Sequence, residues 1–512
     1  MLSTRRKSAR NARWSQPMHR PTVTVRPDMR KETIPSESVT CTVVPATPMK
    51  GLHSLTNQAE NQRLHAYEQN VKSAFDAIVP TLKRISAIQH EEDFESKAQA
   101  IAREQLGFDL PEKTLADAWV DQLDMRKLFA WSVFETYQRF SDEFFSGNQL
   151  IDDAGFQSFL IDCGFHTLDV SPCADGRLAH VISYVLRLPY REVRRKSYAG
   201  AMFDIEDSLA KWTETEFLRF REGSPNMADE PTRYLKTVVY HFSSGDPEHE
   251  GCAAHGSDTG RAAQAGVNQL RAFQEAVQNS FCCGASIDLL LIGLDTDTDA
   301  IRVHVPDEDG SIDLDCYVDA GEVYAETFNM NTQQAASIIE KRVRAVSTGA
   351  AQGMIRLVCR LITNNISQID YVNQFFNRKY PDIGHAERFI GTGIGFEEIQ
   401  LRNLTYFAYM NTVEESTADL DVGVKIFTGL NVSHGLPIPI VIRFDYHGHV
   451  PGARDRAIAN CNRVADALRS RYSELAQTGL LHTLLAIRDC AAGEKIEVLE
   501  SSVYPQNTAG AH

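Results

Sequence analysis

Apolar residues return at steps of three and four in two stretches of the first third of the chain. Val71, Phe75, Ile78, Leu82 and Ile85 form one stripe, and Trp131, Phe134, Tyr137, Phe140 and Phe144 form another. Steps of that size place side chains on one helical face, so residues 53–150 read as a helical domain. Pro80 is expected to kink or divide the first helix. The aromatic stripe reads as core or interface rather than as a cofactor box. From residue 151 short apolar runs alternate with amphipathic stretches, the pattern of an α/β domain. Residues 165–170, 235–242 and 287–293 are short enough for buried strands. Between the first two lies a helix-rich excursion over about 178–226. Further helices are expected at about 261–280, 331–347 and 352–376.

The last third repeats this plan. With Phe242 and Phe444 aligned, residues 438–444 match the strand that closes at Phe242 in apolar pattern. Each run leads into a loop with histidine, glycine and proline, then an amphipathic helix, about 455–476 in the second copy. A strand follows, 481–488 in one and 287–293 in the other. In this register Arg443 stands where His241 does, and Phe427-Thr-Gly falls near Cys173-Ala-Asp. A repeat at such a separation is a duplicated domain rather than a solenoid. The expected order is an arm (1–52), a helical domain (53–150), a catalytic domain (151–385) and a degenerate copy without its metal ligands (386–512).

Composition changes this picture at the N-terminus. The 512 residues carry a net charge of −16, yet Arg5, Arg6, Lys7, Arg10, Arg13, Arg20, Arg26, Arg30 and Lys31 face only one acid, Asp28, within residues 1–31. That segment is +8 and the remainder −24. Few large apolar residues and many prolines make a disordered arm up to about residue 52. It reads as an inert solubilising tail, as a cleavable transit peptide or as a tether for an acidic partner. A positive charge confined to an arm is not the footprint of a nucleic-acid-binding domain. No apolar run is long enough to span a bilayer, and the Met1 start lacks a signal-peptide core. Ten cysteines in a chain this long are no disulfide framework; they read as buried thiols and a metal site.

The candidate chemistry lies where the first strand of the α/β domain ends, at Asp169-Val-Ser-Pro-Cys-Ala-Asp-Gly-Arg177. Cys173, Asp175 and Arg177 come within five residues, and the next strand brings His241, with Cys252 in the loop beyond. Two cysteines and a histidine close three corners of a zinc tetrahedron and leave the fourth for water, the catalytic arrangement. Zinc lowers the pKa of its water towards ~7. Asp175 is close enough to a ligand to take the fourth position itself, and the planar fork of Arg177 can hold it away. So held, Asp175 can accept a proton and orient the nucleophile. His249 and His255 flank Cys252 as relays or as replacements for His241, and His385 at a domain junction is a further candidate. Asp295-Thr-Asp-Thr-Asp299 starts like a calcium loop but has Ala300 for the turn glycine and Pro306 for the closing glutamate. Cys282 and Cys283 read as buried thiols. Gly391-Thr-Gly-Ile-Gly395 does not open a fingerprint helix and is weak evidence for a nucleotide.

Cys-x-Asp-x-Arg at a strand end, with a later His and Cys, resembles the beta-class carbonic anhydrases and, more narrowly, their carboxysomal subclass. Cys163-Gly-Phe-His, Ser171-Pro-Cys-Ala-Asp-Gly-Arg-Leu178, Phe203-Asp-Ile-Glu-Asp207 and Gly251-Cys-Ala-Ala-His-Gly256 carry the resemblance, which covers nearly the whole chain. Common beta enzymes place His and Cys three apart; the eleven between His241 and Cys252 are a feature of the carboxysomal type. The resemblance implies Cys173, His241 and Cys252 as Zn²⁺ ligands and Asp175 with Arg177 as the catalytic dyad. It implies interconversion of CO₂ and bicarbonate in the carboxysome, CO₂ supply to Rubisco, and a homodimer or larger assembly. It also favours the tether, towards Rubisco or the shell, among the readings of the arm. On the residues alone two rivals stay open: another zinc lyase or hydrolase, and a carboxysome scaffold with a vestigial site.

Overall fold

The computed structural model describes residues 51–504 apart from 148–150, 152–154, 228–229, 281–285, 348, 382–383, 409–412 and 494. The basic arm and the Cys282-Cys283 pair lie outside the described residues.

Five helices open the fold: α1 (Gln58–Asp76), α2 (Ile78–Ala87), α3 (Phe94–Gln105), α4 (Glu112–Asp117) and α5 (Met125–Phe145). Asn57 and Asp124 cap α1 and α5 by accepting the backbone N–H of Glu60 and Lys127, which satisfies donors a helix start leaves orphaned. The chain breaks at Ala77, so that Pro80 falls in the first turn of α2, where a missing N–H costs nothing.

After α6 (Phe156–Asp162) come β1 (Thr167–Pro172), β2 (Arg194–Arg195), α7 (Ile205–Arg221), β3 (Arg233–Phe242), α8 (Thr259–Ser280), β4 (Ser286–Asp295), β5 (Ile301–His304) and β6 (Val318–Asp319). Helices α9 (Ala320–Thr327), α10 (Thr332–Val346) and α11 (Gln352–Phe375) complete this half. The excursion after β1 is less helical than its apolar content suggests. It holds short 3-10 turns and one π-helical turn, Val181–Val185, before α7. The second half contains β7 (Phe389–Ile394), β8 (Thr405–Ala408), α12 (Val413–Leu430), β9 (Ile438–Tyr446), α13 (Ala453–Arg471), α14 (Ser473–Gln477), β10 (Leu481–Asp489) and β11 (Glu497–Ser501).

The first sheet has the order β2-β1-β3-β4-β5-β6 and the second β11-β10-β9-β7-β8. Both have a parallel core, and both add an antiparallel strand after the last parallel one. β3 is buried along almost its whole length, as a strand covered on both faces must be. The two orders superimpose with β1 on β7, β3 on β9, β4 on β10 and β2 on β8. With Phe242 aligned to Phe444, Val239 meets Val441. Val239 pairs with Pro172 and Val441 with Gly391, so Cys173 corresponds to Thr392 and His241 to Arg443. That register, set by the two phenylalanines, puts Arg443 at the place of His241, whereas the expected place of Phe427-Thr-Gly is corrected. Phe427 lies in α12, buried against the sheet, because a helix face and a buried strand present the same apolar residues. No described helix is long and apolar enough to cross a membrane.

Candidate metal centre

Strand β1 ends at Pro172 and leaves Cys173 tethered by its N–H to the Val239 carbonyl at 3.2 Å. His241 lies near the end of β3, the neighbouring strand, so two candidate donors meet across one ladder. Cys252 comes from the loop after β3. That loop is long, and the aspartate-rich turn after β4 holds it down. Ser244 N–H donates to Asp295 at 3.0 Å and Gly245 N–H to Asp297 at 2.6 Å. Asp295 to Asp299 therefore anchors the loop, a role its sequence does not reveal. Gly251 is required there, since a Cβ would collide with the Ser257 backbone.

Ligand atoms of Cys173, His241 and Cys252 all lie within 4.8 Å of one another, and the two sulfurs are 4.0 Å apart. All three residues are buried. Both ring nitrogens of His241 lack a hydrogen-bond partner although its side chain is 1% exposed. Buried polar atoms are nearly always satisfied, so an imidazole left bare beside two free thiols fits a metal ion. The hydrogen bond between the sulfurs pushes the Cys173 thiol up, with burial adding to it, and pulls Cys252 down. Thiols become ligands as thiolates, so metal binding and proton release are linked here.

Asp175 caps the 3-10 turn Gly176–Leu178. Its Oδ1 accepts the N–H of Arg177 at 2.9 Å and the Arg177 Nε at 3.0 Å, and its Oδ2 accepts Nη2 at 2.7 Å. Burial pushes the Asp175 carboxyl up, but Arg177 beside it, with His241, holds it well below the usual carboxylate range. Arg177 reaches on with Nη1 to the Glu250 carbonyl at 2.8 Å. One guanidinium thus fixes Asp175 and the loop that presents Cys252. Oδ2 of Asp175 is 3.7 Å from His241 Nε2.

The other candidates separate cleanly. His249 is exposed and paired with Asp246, and His255 bonds the Gly200 carbonyl; neither joins the Cys173 group. His385 does reach the site. With Asp175 and Glu387 it forms a second cluster of ligand atoms within 4.8 Å. Burial lowers His385, but its hydrogen bond to Glu387 and the two nearby carboxylates push it up to about 9. Glu387 also accepts the Gly176 N–H at 3.2 Å, and only glycine fits at 176 against that carboxylate. Sequence reasoning missed Glu387, which nothing but its place two residues after His385 could have signalled.

In the second half, the place of His241 is filled by Arg443, a fully buried cation. It donates to Glu398 and Asp445, each at 2.6 Å, and to Tyr137 at 2.8 Å. A permanent cation neutralised by carboxylates cannot ligate a metal.

Three family models cover the chain in succession. The N-terminal model of carboxysome shell carbonic anhydrase matches residues 53–145, the catalytic-domain model 155–385 and the C-terminal model 386–503. A carboxysome shell carbonic anhydrase of Prochlorococcus marinus (strain MIT 9313) is 60% identical over 460 residues, which are 88% of this chain and 90% of the relative. The protein of that name from Halothiobacillus neapolitanus is 45% identical over 464 residues, again 88% and 90%. The enzyme class is therefore carbonic anhydrase. More particularly, the chain belongs to the carboxysome shell carbonic anhydrase family, and the carboxysome is its location.

Proposed function

We propose that Cys173, His241 and Cys252 hold a catalytic Zn²⁺ ion and that Asp175 and Arg177 work beside it in the interconversion of CO₂ and bicarbonate. The observation that carries this reading is the unpartnered, buried His241 between two free thiols, next to a carboxylate clamped by arginine. Zinc would supply Lewis acidity and lower the pKa of bound water towards ~7. The residues of the chain do the rest. Arg177 keeps Asp175 ionised and turned to its own side. Asp175 is left to accept a proton and to orient the nucleophile. His385, held by Glu387 within reach of Asp175, adds a positive charge where an anionic product forms.

The CO₂ released would feed Rubisco within the carboxysome. Residues 1–52 would tether the enzyme to Rubisco or to the shell, with 53–150 as helical domain, 151–385 as catalytic domain and 386–512 as its degenerate copy. Pairing into a homodimer or larger assembly belongs to the same reading. Zinc analysis and a CO₂ hydration assay on Cys173→Ala and Cys252→Ala test its centre. Each variant is expected to lose both metal and activity, because loss of one thiolate breaks a three-ligand site. Full zinc occupancy in Cys252→Ala would move the third ligand elsewhere.

A further inference from the structure

The glycine run of β7 has a place in the fold that the catalytic chemistry does not use. In the register that superimposes the two sheets, Gly391-Thr-Gly-Ile-Gly-Phe396 matches Pro172-Cys-Ala-Asp-Gly-Arg177. The degenerate half has thus replaced the Cys-x-Asp-x-Arg turn by a glycine-rich run, and a cavity of about 60 Å³ lies against it. Its other walls are Tyr190, Arg195 and Ser197 from the stretch around β2, and Gln400 and Phe407.

The lining mixes apolar side chains with a few polar ones, and its charge is one-sided, from Arg195 and Lys196. Arg195 is half-buried, and its guanidinium donates to the carbonyls of Ala179 at 2.6 Å and Leu178 at 3.4 Å and packs over the Phe407 ring at 5.2 Å. A guanidinium has five N–H donors, so these bonds leave several unused. Among the described residues no carboxylate pairs with Arg195, and none lines the cavity. Burial lowers Arg195 to about 10 with only the Tyr190 ring offsetting it, the mark of a cation lacking a counter-charge. Ser197 Oγ and Gln400 Oε1 are buried without a hydrogen-bond partner, at 4% and 3% exposure. Which end of an amide carries the nitrogen is assigned rather than seen, so Gln400 can turn its NH₂ inward. Arginine, serine hydroxyl and amide then converge as donors.

We propose that this cavity, the relic of a second active site, binds one small oxyanion against Arg195, Ser197 and Gln400. A water needs only about 10–15 Å³ of such space, so the cavity has room for an anion of bicarbonate or sulfate size. Since Arg195 also grips Leu178 and Ala179, the bound anion sits one side chain from the turn that carries Arg177.

Crystals of the zinc-loaded full chain soaked separately in sodium bicarbonate and in sodium selenate test the site directly. The expected result is an anion within hydrogen-bond distance of Arg195. Bicarbonate alone would identify the product of the reaction as ligand, and selenate alone a tetrahedral oxyanion. Water alone in both soaks overturns the proposal. Saturable thermal stabilisation by the anion that binds is expected to weaken tenfold or more in Arg195→Gln. If that variant fails to fold, Gln400→Leu, which removes the amide and leaves the carbonyl bonds of Arg195 in place, decides. Affinity unchanged in the folded variant overturns the site. Because neither residue touches the Cys173 group, zinc content in both variants separates this outcome from failure of the metal site.

Discussion

Arg177 does two jobs with one planar group, and its neighbours show why lysine could not. Nε and Nη2 grip both oxygens of Asp175, while Nη1 turns the other way to the Glu250 carbonyl. An ammonium is a point charge and offers no such fork. Arg177→Ala should therefore lower kcat for CO₂ hydration by about 10²-fold or more, the scale of a lost acid–base group. Arg177→Lys should recover only a small part, since charge returns without the geometry. Zinc content measured on both variants separates the two jobs. Retained zinc with lost turnover locates the defect at Asp175, and lost zinc locates it at the loop that presents Cys252. Near-normal turnover in Arg177→Ala would show that the guanidinium only braces the strand end. Most of this was legible in the sequence, because Cys-x-Asp-x-Arg fixes its partners locally, within one turn. The contact with Glu250 was not, since it spans 73 residues and depends on how the loop folds back.

Between elements, polar contacts tie the halves together, among them Tyr190 to the Gly395 carbonyl, Asn403 to Gly176 and Arg402 to Thr296, and the one at Asp419 carries a penalty. Asp419 of α12 is 9% exposed and accepts the Ala199 N–H at 2.7 Å, just beyond the Cys173–Tyr198 bridge. Burial pushes its carboxyl up to about 6, with the Ala199 bond opposing. Folding thus favours the protonated form. Below pH ~4 both states are protonated and nothing is lost. As pH rises from about 4 to 6, the unfolded carboxyl ionises first and stability falls; above that the deficit is constant, on the order of 2–3 kcal/mol. Asp419→Asn keeps the acceptor and removes the charge. Its melting temperature should equal that of the parent near pH 4 and exceed it increasingly up to about pH 6.5. A constant difference across that range would show that Asp419 is not the titrating group. Such links escape sequence reading, as the misplacement of Phe427 illustrates. Strands β3, β4, β9 and β10 were legible because burial on both faces makes them continuously apolar. β7, with glycines at 391 and 393, has too little side chain to declare itself a strand, and the apolar face of α12 gives the stronger signal.

At the scale of the molecule, the helical N-terminal region is part of the enzyme core rather than an appendage. Val71, Phe75, Leu128 and Phe134 share one hydrophobic cluster with Tyr371 of α11 and with Phe389, Val441 and Leu484 of the second sheet. The anchoring begins at His53, which is 2% exposed; its N–H donates to Asp370 at 2.8 Å, and its ring meets Thr327 at 2.8 Å. Residues 1–31 carry nine basic side chains and one acid in a chain of net charge −16, and the two segments should respond differently to removal. A chain starting at Gly51 keeps every contact of His53 and the cluster, so melting temperature, zinc content and hydration rate should match the full chain. A chain starting at residue 146 exposes the cluster and should aggregate, because large apolar patches left open drive association. Partner binding should follow the arm alone. Co-sedimentation with purified shell protein and with Rubisco at about 0.05 M and 0.5 M salt should show full-length protein bound only at the lower salt, where screening reaches ~14 Å rather than ~4 Å. The Gly51 chain should be free at both. Binding that ignores salt, or a Gly51 chain that binds as well as the full one, would place the contact on the folded surface and remove the tether from the arm.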